Sequence, residues 1–242
     1  MVRAKPQYPP SRAALLPLVG GEFAFDLTNT SSGRGGPRWL EHLQTAANVV
    51  DWARHAKILT ARDAKALRRL LATDRRLAGR LREGMLELRE LIHSIGVAIA
   101  ATASACPGKK HAPAQAGVNT GFPKRTCAGA KKARPAHMDA LVRIHAECLA
   151  RARLVPSGAT FAWVWNPMDS PVEAVLGPVA LSALSVLTGA DLTRIKRCPG
   201  DHCGWLFFDA TKNRRRRWCE MEVCGNRAKQ KRRRARGRGS SE

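Results

Sequence analysis

The sequence predicts an α+β chain. A mainly helical N-terminal domain with a few short strands leads into a small four-cysteine module that ends in a basic C-terminal helix. Three observations carry this. Apolar residues recur at helical spacing through most of residues 37–188. Strand-like runs are few and short, "FAWVW" at 161–165 being the best. Four of the seven cysteines lie in the last fifty residues, as two C-x4-C pairs.

In chain order, residues 1–20 are basic and proline-containing and are expected to form a flexible tail. "GEFAFDLTNT" (21–30) alternates apolar residues and reads as a short strand, or as a packed turn ending in Asn29. After the loop "SSGRGG", the spacing of Trp39, Leu40, Leu43, Ala47 and Val50 predicts a helix whose first turn holds Pro37. Thr60 followed by Asp63 resembles a capping box opening a second helix to about Ala72. Leu77, Leu81, Met85, Leu88, Leu91, Ile92 and Ile95 mark a third, strongly amphipathic one. Over 106–135 Pro, Gly, Ala and Lys dominate and the periodicity vanishes, which predicts a loop or disordered insertion. A helix resumes near Ala136 with Leu141, Ile144 and Cys148, and 174–188 forms another, with Gly189 as its stop. "AVLGPVALSALSVLTGA" (174–190), uncharged but short for a membrane span and carrying Pro178, is expected to be a buried helix. No membrane partner is expected.

The formal net charge is +23, which calls for a polyanionic partner, nucleic acid before an anionic membrane. The charge is concentrated at the end: residues 194–242 carry 16 of the 42 Lys/Arg and only 5 of the 19 Asp/Glu. No export signal is evident, and an odd number of cysteines argues against a disulfide framework. A cytoplasmic location is the default expectation. No nucleotide-binding loop, metalloprotease pattern or nucleophile elbow is present.

Cys198, Cys203, Cys219 and Cys224 form C-x4-C, fifteen residues, then C-x4-C. Each half is a tight turn that can aim two thiolates at one point, and a structural zinc site fills a tetrahedron with four such ligands. The x4 spacing is wider than the common x2, so coincidental cysteines or a reversible disulfide remain alternatives. His202 is a further candidate ligand, although its position beside Cys203 makes that geometry awkward. Trp205, Leu206, Phe207, Phe208 and Trp218 need burial in a segment too small to hold a core, and zinc can contribute on the order of 10 kcal/mol to folding such a module. Arg216, Arg217 and Arg227 would offset the negative charge of four thiolates.

The stretch "RCPGDHCGWLFFDATKNRRRRWCEMEVCGNRAKQKRRRAR" resembles the CGNR zinc finger, through its C-x4-C opening, "FFD" before a turn, "RRWC-M--CGNRAK" and a basic end. "FDLTNT" is similar to the "LDFVNT"-like opening of the ABATE domain that generally precedes this finger. The insertion at 106–135 departs from a compact version of that domain. The resemblance implies a two-part, zinc-dependent transcription regulator: an ABATE-like regulatory domain over 21–193, the finger and its basic helix over 194–236, and a disordered end over 237–242. It also implies sequence-specific binding of double-stranded DNA. RNA binding or ribosome association is the alternative, and a zinc or thiol-redox enzyme the lesser one, because four cysteines leave no open metal position.

Within the basic end, "GNRAKQKRRRARGR" predicts a helix from about Asn226. Asn226, Arg227 and Gln230 are candidates to read bases, or else Asn226 and Arg227 brace the knuckle. Arg214, Arg215, Arg216 and Arg217, with Lys229, Lys231, Arg232, Arg233 and Arg234, are the candidate nucleic-acid contacts, mainly to phosphate. Asp26 and Asn29 either line an effector pocket or cap backbone amides in a turn. Trp163 and Trp165 read as core. Cys106, Cys127 and Cys148 read as buried or loop thiols. The N-terminal domain is expected to be separable from the finger and to lack catalytic activity; an effector molecule and a homodimer are further options.

Overall fold

The computed structural model describes residues 10–34, 36–37, 39–103 and 134–238. Seven α-helices are found among them: α1 (Phe23–Thr28), α2 (Ala46–His55), α3 (Ala61–Thr73), α4 (Arg75–Ala103), α5 (Pro135–Leu149), α6 (Glu173–Gly189) and α7 (Asn226–Arg238). Six short strands pair as three antiparallel hairpins: β1 (Ser31–Ser32) with β2 (Leu40–Glu41), β3 (Arg153–Ser157) with β4 (Thr160–Val164), and β5 (Ile195–Arg197) with β6 (Leu206–Phe208). The mainly helical α+β expectation holds.

The 29-residue α4 is the spine. Its apolar stripe, Leu77, Leu81, Met85, Leu88, Ile92 and Ile95, is buried as its spacing requires, and the helix runs on past Ile95 to Ala103. Helices α1, α2, α5 and α6 and the hairpin β5–β6 pack around it. Helix α6 is buried around most of its circumference, at Val175, Leu176, Val179, Ala180, Ala183 and Val186, which explains its uniform hydrophobicity. No helix among the described residues is long and apolar enough to cross a membrane.

Several elements differ from the sequence reading. Residues 23–28 form a helix rather than a strand or turn. Ala24, Phe25, Asp26, Leu27 and Thr28 are all buried, so neither helical nor strand periodicity is imprinted on this segment. Helix α2 begins at Ala46, because Thr45 accepts from the Asn48 amide while the Asn48 side chain accepts from the Thr45 amide. Trp39 and Leu40 therefore belong to the β1–β2 hairpin region and not to that helix. Thr60 caps α3 by accepting from the Asp63 amide, as its spacing predicts. The tail is fixed from residue 10 onward. Ser11 Oγ donates to the His42 carbonyl at 2.6 Å, His55 bonds the Leu16 carbonyl at 2.7 Å, and Ala13 and Leu16 are buried. The insertion expected at 106–135 lies almost wholly outside the described residues, as do Cys106, Cys127 and residues 1–9 and 239–242.

At the boundary near residue 194 the two parts share one core. Ile195 and Leu206, from the two strands of the finger's hairpin, lie in the main core. Gly96 on α4 makes room for this contact: a Cβ there would sit 2.6 Å from Leu206 Cδ1, so the buried leucine would have to shift. The finger is continuous with the helical body, and separability is not what this packing provides.

Candidate metal centre and nucleic-acid interface

The β5–β6 hairpin carries Cys198 just after one strand and Cys203 just before the other, closed by Cys198 N–H donating to the Trp205 carbonyl at 2.8 Å. Of the second pair, Cys224 sits on a tight π-helical turn, Met221–Gly225, which leads directly into α7, and Cys219 lies two residues before that turn. Together the two turns bring the four sulfurs within 4.8 Å of one another. Cys203 to Cys219 and Cys219 to Cys224 are each 3.6 Å. A tetrahedral zinc with Zn–S bonds of about 2.3 Å separates its sulfurs by about 3.8 Å, so the donor set fits this ion in identity, number and spacing. His202 is exposed and is not part of the cluster.

Without a cation, sulfurs this close oppose one another's charge. Hydrogen bonds from Cys203, Cys219 and Cys224 push the Cys198 thiol down toward thiolate, while Cys219 is pushed up, first by Cys198. A divalent ion removes that conflict, because each ligand can then ionise. The shell around the sulfurs is equally specific. A Cβ on Gly225 would lie 2.4 Å from Met221 Sδ and 3.3 Å from Trp218 Cδ1, so a larger residue there would displace the Met221 side chain and press on the Trp218 ring.

Beneath the knuckle, Asp209 is fully buried and accepts from Lys196 Nζ, the Thr211 amide and hydroxyl, and the Arg216 amide. Lys196 also donates to the carbonyls of Arg214 and Arg216. The arginine run is thereby folded back over the hairpin, and its members diverge in role. Arg216 stacks over Phe207 at 4.3 Å and donates to the carbonyls of Trp218, Cys219 and Val19. It braces the second knuckle, a task that the sequence reading did not give it. Arg214 pairs with Asp191 at 2.8 Å. Arg215 and Arg217 are exposed, Arg217 lying over the Trp218 ring.

Helix α7 starts at Asn226, as its composition predicts. Asn226, Arg227, Lys229, Gln230, Lys231, Arg232, Arg233 and Arg234 are exposed on it. Asn226 and Arg227 form no side-chain hydrogen bond or ion pair with any described residue, so no contact of the bracing kind is seen. Lys231 reaches Asp201 of the first knuckle at 2.8 Å, an exposed pair worth little. Trp205 and Phe207, by contrast, are packed inward around the sulfurs, with Trp205 Nε1 donating to the Ser31 carbonyl at 3.2 Å.

Asp26 and Asn29 are turned into the protein. Asp26 Oδ1 accepts from the Gly20 amide at 2.7 Å, and burial pushes its carboxyl up to about 6. The Asn29 amide closes a two-bond clamp on β6, Nδ2 donating to the Leu206 carbonyl and Oδ1 accepting from the Leu206 amide, both at 3.0 Å. The small cavity beside α1, about 10 Å³, is lined by Phe25, Ile92, Ile95, Leu141 and Ile195 among others and by neither polar residue. Other links run in parallel with the clamp. The Phe208 amide donates to Gly20, and His93 Nε2 donates to the Gly204 carbonyl at 3.2 Å. Burial, then the Arg34 charge, push the His93 imidazole down to about 4. The sequence offered no sign of His93 or Gly96, whereas "FFD" pointed to Asp209 without giving its task.

Four convergent thiols on two knuckles, with a basic helix springing from the second, define a zinc-finger protein. The family model for the CGNR zinc finger matches residues 194–237. The chain belongs to the ABATE family, whose model, "Putative stress-induced transcription regulator", matches residues 21–190. Both matches point to a regulator rather than an enzyme. No curated protein matches the chain.

Proposed function

We propose that the chain is a DNA-binding transcription regulator whose four cysteines, Cys198, Cys203, Cys219 and Cys224, hold one zinc ion, and whose α7 enters the major groove from the knuckle end. One observation carries the reading. Asn226 and Arg227, which can bond bidentately to adenine and guanine, stand exposed and unengaged in the first turn of a helix whose preceding residues, Cys224 and Gly225, are buried. Their backbone is thus fixed by the metal site while their side chains are free. Arg215, Arg217, Lys229, Arg232, Arg233 and Arg234 surround this turn as phosphate contacts, joined by Lys231 once its exposed bond to Asp201 opens. Gln230 is a further base reader one turn on. RNA is the less favoured target, because the finger's aromatic rings are packed inward instead of standing free to stack on bases. Zinc supplies no reaction step here; its contribution is the rigidity of the knuckle.

Selection from random DNA and RNA pools by the zinc-loaded protein should enrich a short DNA motif and no RNA. On that motif Arg227→Ala should cost about 1–3 kcal/mol and flatten base preference, while Arg233→Ala should weaken all sequences alike and reduce the salt slope by about one contact. Equal loss on specific and random DNA in Arg227→Ala, with zinc retained, would remove the reading role from it. Regulation is assigned to the helical body, whose clamp on β6 through Asn29 supports transmission of a change in that body to the finger.

A further inference from the structure

The β3–β4 hairpin stands apart from the rest of the fold. Its two five-residue strands pair only with each other, in the register Leu154 opposite Trp163 and Pro156 opposite Phe161. Side chains alternate along a strand, so Leu154, Pro156, Phe161 and Trp163 share one face. That face is entirely apolar and open: Phe161 is 66% exposed, Leu154 52% and Trp163 40%. Of the two tryptophans read as core, only Trp165 is buried, donating to the Cys148 carbonyl, while Trp163 stands on the open face, so the hairpin's root is fixed while its blade is bare. A two-stranded hairpin is marginally stable alone and needs a further layer. Among the described residues none supplies it.

We infer that a second copy of this chain covers this face, the two hairpins packing face to face about a twofold axis. Three considerations single out that occupant. The face carries no charge on a chain of net charge +23, so it offers nothing for an acidic partner to recognise, yet it is a surface on which two like-charged copies meet without opposing cations. An isologous contact also sets the same aromatic pair of each copy against the other, which a self-complementary patch satisfies by symmetry. The four residues expose roughly 400 Å² per copy, so a face-to-face pair buries about 800 Å², the size of a weak, reversible interface. Pro156 blunts the free edge of β3 for pairing, and the four apolar side chains lie on the face of the hairpin rather than along either edge. The consequence for regulation rests on the DNA reading above: a twofold dimer presents two copies of α7 to two half-sites.

The test is made without DNA, so its outcome is independent of that reading. Sedimentation of the zinc-loaded full chain should show a mass twice the 26.4 kDa of one chain, dissociating at roughly micromolar concentration. Dimerisation should strengthen with added salt, because screening relieves repulsion between two basic copies. Phe161→Glu should weaken it at least about 30-fold, that residue being central to the patch, with zinc content and helicity unchanged. Amide exchange over residues 153–164 of the unaltered chain should slow as concentration rises, a readout that needs no variant. A chain that stays monomeric at about a hundredfold above that concentration overturns the proposal. So does a dimer whose hairpin amides exchange equally fast at all concentrations, or one that Phe161→Glu leaves intact.

Discussion

Replacing Asn29 by alanine tests whether body and finger form one cooperative unit. The side chain is 1% exposed, and its amide meets both backbone groups of Leu206 at 3.0 Å. Alanine removes both partners at once and leaves a buried N–H and a buried C=O unpaired. Each orphaned group costs about 1–3 kcal/mol, so even with some relaxation and entry of water the loss should be about 3 kcal/mol. Set against a total stability of about 5–15 kcal/mol, that is large. For a body of about 200 residues it corresponds to a fall in Tm of about 6–12 °C. The assay is thermal unfolding of the zinc-loaded chain followed by far-UV circular dichroism and, in parallel, by zinc release to a chromogenic chelator. Leu206 lies in the main core, so both signals should move down together. Zinc release that shifts alone, with the helical transition unmoved, would show that the finger melts as an independent module and refute the reasoning. An unchanged Tm would do the same for the clamp itself. Asn29→Asp makes a sharper control: it keeps an acceptor for the Leu206 amide, loses the donor to the Leu206 carbonyl, and should recover part of its stability as acid protonates the new carboxyl.

Two other predictions follow from the site and its surroundings. Protein purified without added metal should contain close to one zinc per chain by elemental analysis, and Cys219→Ser should lose most of it; full occupancy in that variant would remove Cys219 from the ligand set. Asp26 sets a pH dependence. Below pH 3.8 its carboxyl is protonated whether the chain is folded or unfolded, and above about 6 it is charged in both, so the cost of its burial develops between those limits as pH rises. That displacement corresponds to about 3 kcal/mol. Asp26→Asn keeps an acceptor for the Gly20 amide and should match the parent near pH 4 but exceed it by up to that amount at pH 7.5; an advantage in urea unfolding that does not vary with pH would refute the assignment.

The parts of this molecule legible in its sequence are those whose environment is one-sided. Helices α3 and α4 have a wet face and a dry face, so their periodicity and, for α3, its Thr60 cap place them correctly. The four cysteines were legible because two C-x4-C pairs in one short basic segment supply the four soft ligands that a tetrahedral zinc site fills. Helix α1 was not legible, since a short segment buried on all sides has no polar face to mark its period. Nor was the start of α2, where Trp39 and Leu40 mimic a continuing helical stripe while lying in and beside a hairpin. The fixing of residues 10–20 depends on partners such as His42 and His55, thirty to forty positions away, and such contacts leave no local trace.

The arginine run shows why composition marks the interface but not its working parts. Four consecutive arginines, 214 to 217, share one composition and one expected partner, yet the fold separates them by what lies beneath. The backbone carbonyls of 214 and 216 are drawn in by Lys196, itself held by the buried Asp209. That turn aims the 216 side chain inward over Phe207, where its guanidinium meets backbone carbonyls from the knuckle and from Val19 of the N-terminal segment. A planar group with five donors can join three carbonyls in this way, whereas a lysine in the same place would offer a single compact charge. Arg216 thus reaches both the sulfur cluster, through Cys219, and the N-terminal segment, through Val19, while Asn29 joins α1 to the hairpin that bears the other two cysteines. Both knuckles are therefore tied to α1 and residues 19–20 by side-chain hydrogen bonds. With the Phe208–Gly20 and His93–Gly204 hydrogen bonds and the buried Ile195 and Leu206, these bonds pack the helical body and the finger against each other.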